Sequence, residues 1–201
     1  MNRSSFADLL RVDRYGDFLL PPAIRLGRGL SVIPREGYRL DCFRDSSGRE
    51  IPMLAASVTS EKLFDLFLSL TEPLGEIVDV VLETSHDTDG ANHRDLVRER
   101  IERPILLSYF CEFESLLMND GCTGVAVISR VEPMEIQFDE HKIIIIYANN
   151  LEPFIKLLYE ADIHPVSGLS LIPEGEHMHR SAPHYRREFA QLSTLIGVVI
   201  A

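Results

Sequence analysis

The sequence predicts an α/β protein, of mixed α+β type, in which helices cover a mixed β-sheet. Two observations predict this class: segments with strand periodicity alternate with segments of helical periodicity, and the order β-β-α-β-α-β occurs twice. A third observation is that residues of the two copies match at a constant spacing. The sheet should therefore be built from two units related by a pseudo-twofold axis.

The first third of the chain divides into an arm and the start of the first unit. Residues 1–36 read as an irregular N-terminal arm, in which Ser5 with Asp8 can cap a short helix. The first unit spans residues 37–130. Its predicted elements are a hairpin at 38–56, a helix capped by Ser60 and running to Leu70, a strand at 77–82, a polar loop at 84–93, a helical stretch at 94–119 divided by Pro104, and a strand at 124–128. Pro104 either kinks one helix or opens a second, and the part after it is apolar nearly all round, which predicts burial.

The second, shorter unit spans residues 131–201 and should share one core with the first. Its predicted elements are strands at 134–138 and 143–147, a helix at 151–158, a strand at 166–172, a polar loop at 173–181, a helix at 182–195 and a strand at 197–201. The aliphatic run Ile143 to Ile146 predicts a central strand, because such a run at a sheet edge would promote aggregation.

An internal duplication explains the matched residues of the two units. The pairs that lie 91 positions apart are Glu61 and Glu152, Leu66 and Leu157, Glu83 and Glu174, His86 and His177, Ala91 and Ala182, and His93 and His184. Gly124 and Gly197 match at 73, so the first copy carries 18 more residues before its last strand. These add about five helical turns. The alternative is chance recurrence of common α/β units.

Composition excludes several classes of protein. The net charge of −11 disfavours nucleic acid and anionic membranes as partners, since both require a basic face. The N-terminal stretch has acids within its apolar part, so we expect no signal peptide there, and no apolar run is long enough to cross a bilayer. Cys42, Cys111 and Cys122 have no CxxC spacing and are predicted to be small buried hydrophobes in a reducing, cytoplasmic compartment.

One constellation of residues has metal-binding or acid–base chemistry. Each unit places Glu-x-x-His at the end of a strand and a second His at a helix entry, where α/β proteins commonly place their sites. The candidate ligands are Glu83, His86 and His93 in the first unit and Glu174, His177 and His184 in the second. Asp87, Asp89, Glu176 and His179 lie in the same loops. The alternative is that these residues are structural or shared by ancestry alone.

Arginines accompany both predicted helix entries. They are Arg94, Arg98, Arg100 and Arg103 in the first unit and Arg180, Arg186 and Arg187 in the second. Such a group can bind an anion at a helix N-terminus. Interleaved acids favour a solvated ion-pair face instead.

Two functions from different classes follow from the sequence. The first is a non-enzymatic binding or regulatory module that needs no cofactor and binds a protein partner, a small ligand or a second copy of itself in a homo-oligomer. The second is a metal-dependent enzyme of hydrolase type, in which the two Glu-x-x-His loops hold a divalent ion. The spatial arrangement of these loops discriminates between the two.

Overall fold

The computed structural model describes residues 12–27, 31–86 and 93–200. The strands are β1 (Arg14–Tyr15), β2 (Phe18–Leu19), β3 (Ile24–Leu26), β4 (Gly37–Arg44), β5 (Glu50–Ser57), β6 (Ile77–Thr84), β7 (Arg94–Glu102), β8 (Thr123–Ser129), β9 (Met134–Phe138), β10 (Ile144–Ala148), β11 (His177–His179) and β12 (Val199–Ile200). The helices are α1 (Ser60–Leu70), α2 (Arg103–Glu112), α3 (Glu114–Asn119), α4 (Glu152–Glu160) and α5 (Pro183–Ile196), with 3₁₀ turns at Glu72–Leu74 and Ile172–Glu174. The helix cap expected at Ser5 and Asp8 lies outside the described residues.

Eight strands form one sheet in the order β12-β7-β6-β8-β9-β10-β5-β4. Within the described ranges every ladder of this sheet is antiparallel, so the protein is α/β with a large antiparallel sheet and the expected mixed sheet is wrong. The β9–β10 and β4–β5 pairs are hairpins joined by short turns, which impose antiparallel pairing. Two shorter sheets, β1–β2 and β3–β11, lie beside it.

The main core lies between the helices and one face of the sheet. Alternate residues of each strand, such as Val80, Val127 and Phe138, point into it and are buried. Phe67 of α1 stacks on Phe138 at a ring-centroid distance of 5.0 Å and contacts Phe110 of α2 at 5.8 Å. These aromatic contacts connect the helical layer to the middle of the sheet. No helix among the described residues is long and apolar enough to cross a membrane.

Several elements confirm the sequence prediction. The hairpin of β4 and β5, the strands β6, β8, β9 and β10, and helices α1, α4 and α5 all lie where periodicity placed them. β10 is an interior strand between β9 and β5, as its aliphatic run required. The N-cap of α1 is Thr59 and not Ser60; its hydroxyl accepts a hydrogen bond from the Leu19 amide at 3.0 Å and so ties β2 to the helix.

The first half of the helical stretch predicted at 94–119 is a strand. Residues 94–102 form β7, which pairs with β6 and β12. Charged residues at helix-like spacing suggested a solvated helix, but pairing with two strands overrides that weak propensity. Pro104 lies in the first turn of α2. Of the two alternatives, a kink within one helix or the start of a second helix, the structure confirms the start of a helix. Of that helix only Leu106 and Phe110 are buried.

Two segments of the second unit also differ from the prediction. Residues 166–172 form a loop with a left-handed Gly168 and the start of a 3₁₀ turn, and the strand β11 lies within the expected polar loop at 173–181. The duplication therefore remains a prediction. Cys42 and Cys111 are exposed and Cys122 is half-buried, so the expected burial of the cysteines is wrong. Cys42 lies on the outer part of β4.

Candidate metal centre

Strand β11 places two histidines on one side of the chain. It pairs antiparallel with β3, and His177 lies opposite Leu26 while His179 lies opposite Ile24. Side chains at i and i+2 of a strand point the same way. His177 and His179 therefore face one space, and their ring centroids lie 5.2 Å apart.

A third histidine enters that space from the turn between β9 and β10. The Asp139 carboxylate shapes the turn: Oδ1 accepts a hydrogen bond from the Ile143 amide at 3.1 Å, and Oδ2 lies 2.7 Å from His141 Nδ1. Lys142 has a positive φ of 60°, which tightens the turn. The ring centroid of His141 lies 4.9 Å from that of His177 and 4.7 Å from that of His179.

The three imidazoles offer ligand atoms that all lie within 4.8 Å of one another. Each ring has its Nδ1 beside an oxygen acceptor: Asp139 Oδ2 at 2.7 Å for His141, Gly175 O at 2.7 Å for His177 and Gly121 O at 2.5 Å for His179. A proton on Nδ1 leaves the lone pair on Nε2, which is the arrangement of metal-bound histidine with its supporting shell. We call His141, His177 and His179 the triad of histidines.

The spacing of the triad fits a tetrahedral ion after a small contraction. Zinc–nitrogen distances of about 2.0–2.1 Å put two ligands of a tetrahedron roughly 3.3–3.4 Å apart. One ring nitrogen of each histidine lies within 4.8 Å of the others, so the rings would have to move closer together to bind a tetrahedral ion. Three protein ligands leave one position open for water or a substrate.

A glycine allows the two layers of this centre to approach closely. An ideal Cβ on Gly121 would lie 2.8 Å from Ala23 O and 2.9 Å from His179 Cβ. The Gly121 amide donates to Arg180 O at 2.7 Å, and its carbonyl accepts from His179. The segment between α3 and β8 is therefore held against the end of β11 by its backbone.

Carboxylates surround the triad and tune it. Burial lowers the pKa of His141, but the hydrogen bond and charge of Asp139, with the charge of Glu140, outweigh it and leave that pKa above its ordinary value. Burial dominates at His179, whose pKa lies below the ordinary value despite Glu140 and the Gly121 carbonyl. The lowered pKa of His179 favours the neutral ring that a cation binds, whereas the raised pKa of His141 favours its protonated form.

Lys142 lies beneath this centre and is 1% exposed. Its Nζ donates to Thr123 O at 2.7 Å and lies 5.3 Å from the centre of the Phe138 ring. Burial lowers the pKa of Lys142 to about 8, although the charges of Asp139, Asp120 and Glu140 act in the opposite direction. The ammonium thus offsets part of the negative charge around the triad.

The candidate ligands predicted from the sequence do not all lie in one site. His177 belongs to the triad, and His93 contacts Glu140, with Nε2 3.5 Å from Oε1. His86 lies beside Asp120 and Cys122 in a separate cluster. Glu83 lies over Gly124 in the sheet, and burial followed by the charges of Asp95 and Asp139 raises its pKa, against the smaller lowering effect of His93.

Two predicted ligands face other partners. Glu174 forms an ion pair with Arg39 at 2.6 Å, and the hydrogen bond from that guanidinium is the main reason that the pKa of Glu174 is lowered. The His184 ring packs on Tyr185 at a centroid distance of 4.0 Å. The sequence analysis missed His141 as a ligand and gave His179 only a supporting place. The spacing His-x-His of residues 177–179, which suits a strand, is the sequence signal for His179, whereas His141 has no such signal.

Comparisons with protein-family models, with curated proteins and with solved structures gave no match.

Proposed function

We propose that the protein is a zinc-dependent hydrolase whose metal ligands are His141, His177 and His179. The observation that supports this proposal is the convergence of three imidazoles whose Nδ1 atoms are each held by an oxygen acceptor. Neutral imidazole is a common ligand of zinc, and a three-histidine set with an open fourth position is a catalytic type of site. Zinc in such a set supplies a bound water with a pKa near ~7.

The chain's own residues supply orientation and proton transfer. Asp139 holds the His141 ring through Nδ1, and the carbonyls of Gly175 and Gly121 hold the other two rings. Glu140 follows Asp139 in the turn and contacts His93 at 3.5 Å, and its charge acts on both His141 and His179. With zinc bound, Glu140 would be the carboxylate that could accept a proton at the centre, and His93, which contacts it, could share that proton.

The test uses metal-stripped protein. Zinc should restore hydrolysis of an activated ester or of an activated phosphodiester, and a chelator should remove it again. E140Q should keep zinc affinity but lower turnover by about 10²–10⁴-fold, the usual contribution of a general base. E160Q, an exposed glutamate of α4, is the matched control. Zinc binding without hydrolysis of either substrate class would contradict the catalytic part of the proposal.

A binding function without catalysis is the second candidate, and the face of the sheet opposite the core supports it. Glu83, Glu135 and Asp139 lie close enough there to raise the pKa of Tyr147, whose burial contributes the largest part. Concentrated negative charge on a half-exposed face favours a basic partner. An oligolysine peptide should bind in a salt-dependent manner and an oligoglutamate peptide should not, and equal binding of both peptides would contradict this function.

A further inference from the structure

A second cluster of ligand-type side chains lies apart from the triad of histidines. His86 follows the end of β6, and Asp120 and Cys122 flank Gly121 between α3 and β8. One ligand atom from each of the three residues lies within 4.8 Å of the others. Their types, one imidazole, one carboxylate and one thiol, differ from the all-imidazole set of the triad.

Two polar atoms of this cluster are buried without a hydrogen bond. The side chain of Asp120 is 0% exposed and that of His86 is 7% exposed. His86 Nε2 and Asp120 Oδ2 lie 2.8 Å apart as an ion pair, although the contact lacks the geometry of a hydrogen bond. Asp120 Oδ1 has no hydrogen bond of acceptable geometry among the described residues, although the Ser181 side chain acts on the same carboxyl. Leaving such atoms unpaired costs about 1–3 kcal/mol each, so their presence requires an explanation. A cation bound between them supplies it.

The surroundings support the cluster as a binding site. Thr123 Oγ1 donates to Asp120 Oδ2 at 2.6 Å, which orients the carboxylate as a supporting residue does in metal sites. Burial raises the pKa of the Asp120 carboxyl, and its interactions with His86, Ser181 and Thr123 outweigh this effect and lower that pKa. The Ser85 amide donates to Cys122 O at 3.0 Å, which ties the two chain segments together.

A cleft with a volume of about 400 Å³ reaches one member of the cluster, His86. Thr84, Phe189 and the cationic side chains of Arg94 and Arg186 also line it. The ring of Phe189 lies 6.0 Å from that of His86. The cleft thus brings solvent to the His86 side of the cluster.

We propose that His86, Asp120 and Cys122 form a second cation site, which takes a thiophilic divalent ion such as zinc or cadmium. The thiolate is the ligand that selects such ions over calcium and magnesium. On binding, the Cys122 thiol loses its proton to solvent and the sulfur donates an electron pair to the ion, with no change of oxidation state. This site is independent of the proposed hydrolase and of its three histidines.

Cobalt(II) tests the proposal, because a thiolate ligand gives an intense near-ultraviolet charge-transfer band that imidazole and carboxylate ligands do not give. The probe is metal-stripped, reduced C42S/C111S protein, in which Cys122 is the remaining cysteine. One equivalent of thiolate-bound cobalt should appear, and C122S in the same background should lack the band. H86Q should weaken this cobalt binding at least about tenfold, since even supporting residues cost about 10–100-fold.

Two further measurements distinguish this site from the triad of histidines. The second also gives a result if a variant of the cluster fails to fold. H141A/H179A should keep the charge-transfer band, because its residues lie in the other cluster. In folded C42S/C111S protein, cadmium should slow alkylation of Cys122 by iodoacetamide at least tenfold, a readout that needs no change to the cluster.

Three results would overturn the second site: no band in the C42S/C111S protein, a band that survives C122S, or unchanged alkylation with cadmium. Any of these, combined with zinc binding that depends on His141, would leave the proposed hydrolase standing. Loss of zinc binding at His141 with the band retained would overturn the hydrolase alone.

Discussion

Asp139 Oδ2 lies 2.7 Å from Nδ1 of His141, two residues along the same turn. The same pairing occurs at Asp162, whose Oδ1 lies 2.8 Å from Nε2 of His164 on the exposed surface. Only the first pair belongs to a cluster of imidazoles. The second pair therefore provides an internal control for the role that the first pair plays in the centre.

Asp139→Asn should lower zinc affinity by about 10–100-fold, because a neutral amide holds the imidazole less strongly and makes it a weaker base. Asp162→Asn should leave zinc affinity unchanged. Isothermal titration of metal-stripped proteins gives both values. Equal affinities for the parent and D139N would show that His141 is not a ligand supported by this carboxylate.

Gly121→Ala should weaken zinc binding and lower the free energy of unfolding. A Cβ there would meet Ala23 O at 2.8 Å and His179 Cβ at 2.9 Å, so β11 must move away from the segment before β8. Gly48→Ala is the comparison, because a Cβ at Gly48 meets nothing within 4 Å and only the positive φ is strained. It should destabilise the hairpin slightly and leave zinc affinity intact. A G121A protein with full zinc affinity would contradict the packing argument.

Periodicity predicted the core of the fold because burial there follows a regular pattern. The helix α1 has its apolar residues at helical spacing, the strands β8 and β10 are mainly apolar, and the structure confirms all three elements. β7 was not predictable in this way, because its charged residues are exposed and do not alternate regularly with buried apolar residues. Its strand form depends on pairing with β6, the preceding strand, and with β12 near the end of the described residues.

The candidate centre shows the same limit. His177 was identified from its match with His86, but the triad depends on β11, three residues long and surrounded by polar loop residues. His141 lies in a hairpin turn, where a histidine is usually a solvated residue. Only the pairing of β11 with β3, together with the turn after β9, brings these rings together. The matched residues Glu174 and His184 contact Arg39 and Tyr185 instead.

Glu83→Gln should stabilise the metal-stripped protein at neutral pH. Burial and the charges of Asp95, Asp139 and Glu135 raise the pKa of Glu83. A folded-state pKa above the unfolded value of about 4.3 means that ionisation favours unfolding, so the parent loses stability as pH rises through the folded pKa. Below the unfolded pKa the Glu83 carboxyl is neutral in both the folded and the unfolded protein, so the parent and the variant should have equal stability. Denaturation at several pH values measures this, and a variant less stable than the parent at pH 8 would contradict it.

Phe67→Ala should cost about 3–5 kcal/mol of unfolding free energy, the usual loss for a fully buried aromatic ring. Phe67 is 0% exposed and contacts both Phe110 and Phe138. Phe43→Ala is the matched control: its ring is 46% exposed and meets Tyr147 edge-on at 5.6 Å. That variant should lose about 1 kcal/mol or less. Equal losses of unfolding free energy in the two variants, measured by urea denaturation, would show that Phe67 of α1 does not lie at the centre of the core.

Zinc titration of metal-stripped protein by calorimetry tests the central claim most directly. To keep the second cluster out of the measurement, the parent carries C122S and H86Q. The account predicts one zinc ion per chain, and H141A, H177A and H179A should each lower its affinity by more than about 100-fold, since loss of a ligand exceeds the loss of a supporting residue. H164A and H184A, which replace histidines outside the triad, should bind like the parent. No heat from zinc, or equal affinities across all five variants, would contradict the account.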